Sequence, residues 1–205
     1  MSRSEPVKIH VSPWTTLLLA VFIWAASPEL LAALLLAALL HELGHYAMLK
    51  HQGAQVEAIR ISPFGAQMRL RPYPQLSYGQ EMLAVLAGPG VNLILAFVLA
   101  AAGKWWNLGY LFSGAQLVLG LFNLLPILPL DGGAFLWLLV AWCTEPFTAD
   151  RLVGTISRCM TVFLLLVGAA VIYLEQGSPF LLLGALGPVW SGMSEKKLVK
   201  PRISR

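Results

Sequence analysis

The sequence predicts an all-α polytopic membrane protein of about six transmembrane helices, with a small membrane-associated β-hairpin after the second. Three observations carry that expectation. Only 12% of the 205 residues are charged and 58% are hydrophobic, whereas a soluble domain carries about 25% charged residues; the mean hydropathy is +0.72. The apolar residues gather into runs of the length a bilayer requires, about 20 per helix, and clusters of Pro, Gly and polar residues separate the runs. One stretch, Gln55 to Arg71, instead alternates with a period near two around Ser62-Pro63-Phe64-Gly65, as a strand pair with a central turn does.

The runs follow in order. Residues 1–12 form a polar start. A first, short run covers about Trp14 to Ala26. Ala25-Ala26-Ser27 has the small-x-small form of a signal cleavage site, but Pro28 would follow the cut, so this run is kept as a span. Ser27 then caps, and Pro28 begins, a second run from about Glu29 to Leu49. The alternating segment predicts strands at about 56–62 and 66–71. An open edge there would dock an extended peptide by β-addition; an amphipathic connector fits the pattern equally. A third run, about Glu81 to Ala102, contains Ala87-Gly88-Pro89-Gly90-Val91-Asn92. Its small residues permit close helix approach, and Asn92 is a candidate inter-helix hydrogen bonder. Lys104-Trp105-Trp106 resembles an interfacial anchor.

The fourth run, about Leu108 to Cys143, is too long for one span, and Asn123 to Gly133 (NLLPILPLDGG) interrupts it. Irregular backbone at membrane depth is tolerated only where protein buries it or it lines a wet cavity. The interruption therefore predicts a functional break between two half-helices. A polar loop at 144–152 precedes a fifth run, about Val153 to Leu174. A shorter sixth covers about Phe180 to Met193, and a basic tail follows from Glu195. Cys143 and Cys159 match no metal or disulfide framework and are read as free thiols.

Six spans with the N-terminus inside would leave all but Lys104 of the 14 Lys and Arg on the inner side. The positive-inside rule then puts both termini in the cytoplasm. The net charge of +4 is accounted for in this way, so membrane lipid, and no nucleic acid, is the expected contact.

Within the second run lies His41-Glu42-Leu43-Gly44-His45. Residues four apart share a helix face, so the two imidazoles converge on one point, as a zinc ion requires. Ionisable groups inside a membrane span mark function by default. His45 lies five residues before Lys50, about 7–8 Å at the helical rise, which places the pair in the cytoplasmic half of the bilayer. Catalytic zinc takes three protein ligands. Of the ten carboxylates, eight fall in tails, loops or span ends, Glu29 and Glu81 among them; only Glu42 and Asp131 lie inside apolar runs, and Glu42 is turned away from the shared histidine face. Asp131 is thus the third candidate; otherwise it is the solvated Asp of an Asp-Gly turn. One Zn2+ per chain would support hydrolysis, with Glu42 as general base. Asn123 either binds the substrate backbone or developing oxyanion, or holds the broken helix together. His10 and His51 sit at polar ends and are expected to be exposed.

HELGH in one run and Asn123-x-x-Pro126…Leu130-Asp131-Gly132 in a later one resemble the site-2 proteases, intramembrane zinc metalloproteases of peptidase family M50. The resemblance covers about residues 29–143 and is nearest the compact branch that includes the sporulation factor protease. The following hairpin and the Gly88-Pro89…Asn92 element are similar as well. The family pairs the two motifs in this order, with zinc on the two His and the Asp. It implies a single transmembrane metalloprotease domain over 1–205, with a catalytic core at about 29–143 and accessory C-terminal helices at about 153–193. No inserted PDZ or C-terminal CBS domain is expected. It implies regulated intramembrane proteolysis of single-span membrane protein substrates, in a bacterial inner membrane. A regulatory membrane partner or a homo-oligomer is left open. The competing readings are a metal-binding membrane transporter or sensor, and a non-catalytic scaffold. A transporter more often shows polar residues along a path and internal repeats, and a scaffold has no need of Glu42.

Overall fold

The structure is a computed structural model that describes residues 8–11, 16, 22–24, 26–62, 65–70, 75–103, 105–106 and 108–175. Most of the first apolar run, all of the sixth and the basic tail lie outside the described residues. The described chain is a membrane protein of five helices and three short strands, in two compact units that meet in sequence after Asn123. Three of the helices are long and apolar enough to cross a bilayer.

In the first unit, α1 runs from Pro28 to His51 over 24 residues, about 36 Å at 1.5 Å per residue. Ser27 Oγ accepts from Leu30 N–H at 3.3 Å, and Pro28 supplies a preset first turn. Gly53, at φ +79°, carries the chain out of the helix. The helix α2, Tyr78–Ala102, starts at a capping box: Ser77 Oγ accepts from Gln80 N–H, and Gln80 Oε1 accepts from Ser77 N–H at 2.9 Å. Pro89 lies inside α2 and removes one backbone donor there. The third helix, α3, covers Leu108–Asn123.

These three helices pack on one another through small residues. Ala33, Ala37 and Ala115 form the buried centre, flanked by Leu34, Leu111, Phe112 and Leu119. Small side chains let helices approach closely where lipid offers no competing hydrophobic drive. Ser113 Oγ donates to Ala96 O at 2.7 Å and ties α3 to α2.

The hairpin forms as the alternation predicts: β2 (Val56–Ser62) pairs antiparallel with β3 (Gly65–Leu70), with a register shift near Ala58. The polar start is a correction. Lys8–Val11 forms β1, parallel to β2, so the sheet has three strands in the order β1-β2-β3. Four alternating residues are too short a signal to stand out in sequence. The second edge of β2 is therefore occupied, and among the described strands β1 and β3 are the edge strands.

The second unit holds the far side of the broken run. Residues 124–130 are irregular; Ile127 N–H donates to Leu125 O and Leu130 N–H to Ile127 O, both at 2.7 Å. Ile127 and Leu130 are buried. Two helices follow, α4 (Asp131–Cys143) and α5 (Pro146–Glu175). The expected polar loop at 144–152 is largely helical. Pro146 suits the first helical position, and Ala149 N–H donates to Glu145 O at 3.0 Å. Ala149, Val153 and Ser157, four apart, are buried, whereas Asp150 and Arg151 are exposed. The polar residues are one face of a helix rather than a loop. Trp137 Nε1–H donates to Asp150 Oδ1 at 2.8 Å, and Leu128 N–H to Ser157 Oγ at 2.9 Å, joining α4 and the irregular segment to α5. Cys143 and Cys159 are free thiols.

The irregular segment turns back over the start of α4, where a Cβ on Gly132 would overlap the Leu124 carbonyl. Gly132→Ala is expected to cost about 1–3 kcal/mol by overpacking and lower the Tm of the detergent-solubilised chain. Gly114→Ala, which meets nothing within 4 Å, should leave Tm unchanged or raise it. Equal Tm values for the two variants would contradict this packing.

Candidate metal centre

His41, Glu42 and His45 occupy consecutive turns of α1. His41 is buried; Glu42 and His45 are half-buried. The stripe Ala33-Ala37-His41-Gly44 is the buried face of the helix, so the histidines point into the bundle. A Cβ on Gly44 would stand 2.8 Å from Ala87 O, which shows that α1 and α2 cross there nearly backbone to backbone. One residue on, a Cβ on Gly88 would overlap the His45 ring. Gly88 of α2 is thus the wall against which His45 lies.

The second ring nitrogens fix the tautomers. His45 Nδ1 is 2.8 Å from Ala84 O, and a carbonyl only accepts, so Nδ1 carries the proton. His41 Nδ1 is 2.9 Å from Asn92 Oδ1. Asn92 is fully buried, and its Nδ2 donates to Gln116 Oε1 at 2.8 Å and to Ala37 O at 3.3 Å. That leaves Oδ1 as the atom facing His41, which therefore donates from Nδ1. Both rings present Nε2 as the lone-pair nitrogen, and the two Nε2 atoms are 3.1 Å apart, the rings nearly perpendicular at 84°. Two lone pairs at that distance repel unless a cation sits between them. Imidazoles on a tetrahedral zinc ion, at Zn–N about 2.0–2.1 Å, have nitrogens about 3.3 Å apart. The pair therefore fits such an ion, with outer partners of the kind that orient ligating histidines.

Asn123 ends α3, where its Nδ2 donates to Leu119 O at 3.0 Å, a bond within its own helix. Asp131 is the first residue of α4 and is half-buried. His51 is exposed at the end of α1, and the His10 side chain lies outside the described residues. Asn92 was legible as an inter-helix bonder. Gln116 was not singled out, although the same signal, one amide inside an apolar run, marks it.

The chain matches peptidase family M50 over residues 29–106 and 99–167. It is 32% identical to stage IV sporulation protein FB of Bacillus subtilis over 171 residues, 82% of this chain and 58% of that protein. It is 27% identical to a zinc metalloprotease of Methanocaldococcus jannaschii over 180 residues, 80% of this chain and 51% of that one. The chain thus spans about half the length of these two relatives. The solved structure of a site-2 protease from M. jannaschii superposes with a TM-score of 0.73 at 25% identity, covering 98% of this chain and 95% of that one.

Gly88→Ala is expected to displace the His45 ring and weaken zinc binding by about 10–100-fold, the usual effect of disturbing a ligand's support. Gly90→Ala, on the same helix with nothing within 4 Å, should bind zinc as the wild type does. Chelator competition on the purified chain checks both, and equal affinity for the two variants would contradict the proposed position of His45.

Proposed function

The chain belongs to peptidase family M50, and on that premise we propose that it is an intramembrane zinc metalloprotease acting on membrane-tethered protein substrates within or near their transmembrane segment. The observation that carries the reading is the pair of Nε2 atoms 3.1 Å apart on α1, with Glu42 between the two histidines in sequence. Zinc is the metal of the relative from M. jannaschii by its name, and the all-nitrogen pair suits it.

His41 and His45 would hold the ion, with Asp131 as third ligand. Supporting Asp131 are its half-buried position at the start of a helix that follows an irregular segment and its place in the Leu-Asp-Gly motif. When bound, zinc supplies Lewis acidity, which polarises a scissile carbonyl and acidifies water. Glu42 accepts the proton of the attacking water on its carboxylate and returns it to the leaving amine nitrogen. Asn92 and Ala84 O keep the imidazole rings in place throughout, because neither Nδ1–H need move. Asn123, at the end of α3, is proposed to offer its amide to the substrate backbone or the oxyanion.

The catalytic core is taken as about 29–143, with accessory helices after it. The first and sixth runs complete the count of about six spans. The distribution of Lys and Arg supports cytoplasmic termini, with the site in the cytoplasmic half of a bacterial inner membrane. The substrates are single-span membrane proteins.

Glu42→Gln tests the reading, because general base catalysis contributes about 10²–10⁴-fold whereas the amide leaves the ligands untouched. Cells carrying this variant should accumulate an uncleaved single-span protein that purified wild-type chain cuts and a chelator protects. Asp131→Asn should lose zinc as well as activity. Zinc binding without any accumulating substrate would move the weight to a transporter or sensor.

A further inference from the structure

We infer that Gln116 is a positioning residue of the metal centre, acting through Asn92 to hold His41 in the tautomer that presents Nε2 to a metal. The inference rests on the zinc reading above, but the relay itself lies wholly within α1, α2 and α3.

Gln116 is fully buried in α3, among apolar residues. An amide there is costly unless its hydrogen bonds are made. Its Oε1 accepts from Asn92 Nδ2 at 2.8 Å, the shortest of the contacts of Asn92. The carboxamide of Asn92 has two orientations. In the one observed, its NH2 faces two acceptors, Gln116 Oε1 and Ala37 O, and its oxygen faces His41. Reversed, Asn92 Oδ1 would oppose both acceptor oxygens, and an N–H would point at His41 Nδ1. His41 would then have to accept there and carry its proton on Nε2, where the metal binds. The Ala37 carbonyl, at 3.3 Å, can only accept and so sets the orientation; the shorter bond to Gln116 Oε1 reinforces it. Its Nε2 has no acceptor among the described residues. One turn along α3, a Cβ on Gly120 would stand 3.1 Å from Asn92 Cβ. That close approach is what brings Gln116 within reach.

The test uses the full-length chain in detergent micelles, as wild type, Gln116→Leu and Gln116→Glu. Zinc affinity is read by chelator competition, and the His41 tautomer by ¹⁵N NMR of the histidine-labelled, metal-free protein. Gln116→Leu should weaken zinc binding by about 10–100-fold and populate the Nε2–H tautomer of His41. Gln116→Glu keeps an acceptor oxygen towards Asn92 and should retain the wild-type tautomer and an affinity within about threefold. If Gln116→Leu does not fold, Gln116→Met, unbranched and of similar length, carries the same expectation. Wild-type affinity and tautomer in the folded apolar variant would overturn the proposal, whatever happens to its Tm, because a purely structural role moves only the Tm. A wild-type chain that binds zinc yet cleaves nothing would overturn the protease reading while leaving the Gln116 result standing.

Discussion

Everything at the candidate centre depends on how closely α1 and α2 cross. Gly44 stands against the Ala87 carbonyl and Gly88 against the His45 ring, so neither position has room for a side chain. Between membrane helices there is little hydrophobic drive, and packing of small residues with buried hydrogen bonds holds them together. The crossing supplies both. With the backbones in contact, Ala84 O reaches His45, and Asn92 reaches both His41 and the Ala37 carbonyl. Part the helices by the width of a methyl group and the imidazoles lose the partners that orient them.

The arrangement also accounts for polar groups in an apolar bundle. His41, Asn92 and Gln116 are buried on three different helices, and each would be costly alone. Joined in one line of hydrogen bonds they become tolerable, and the line ends at a ring nitrogen with a lone pair to offer. The geometry is that of a metal ligand and its supporting shell. Glu42, the proposed general base, is the next residue in sequence after His41. Pro89, buried inside α2, follows Gly88 directly in sequence.

The sequence made the centre legible where chemistry and spacing coincide. Two histidines four apart name a shared helix face without any tertiary information, and Asn92 declares itself as a lone amide in an apolar run. Gln116 carries the same signal. Its importance came only from the packing of α3, through Gly120 and Ala115, which no local pattern reveals. The strand at Lys8–Val11 was hidden by its length, because four alternating residues do not outweigh a polar context. The start of α5 was misread for a physical reason: Asp150 and Arg151 suggest a loop when counted, but they form one face of a helix once Ala149 and Val153 are seen to be buried behind them. The break at 124–130 was legible because two prolines, Pro126 and Pro129, stand three residues apart and each removes a helix donor, whereas the lone Pro89 is absorbed within α2.

The most direct test of the central claim, that α1 and α2 build a zinc centre on His41 and His45, is zinc K-edge X-ray absorption of the purified chain. The spectrum should show one zinc ion with nitrogen and oxygen ligands at about 2.0–2.2 Å, multiple scattering from two imidazoles, and no sulfur. In the Gly88→Ala variant the imidazole signal should fall. A sulfur shell at about 2.3 Å, or an imidazole signal indifferent to Gly88, would contradict it.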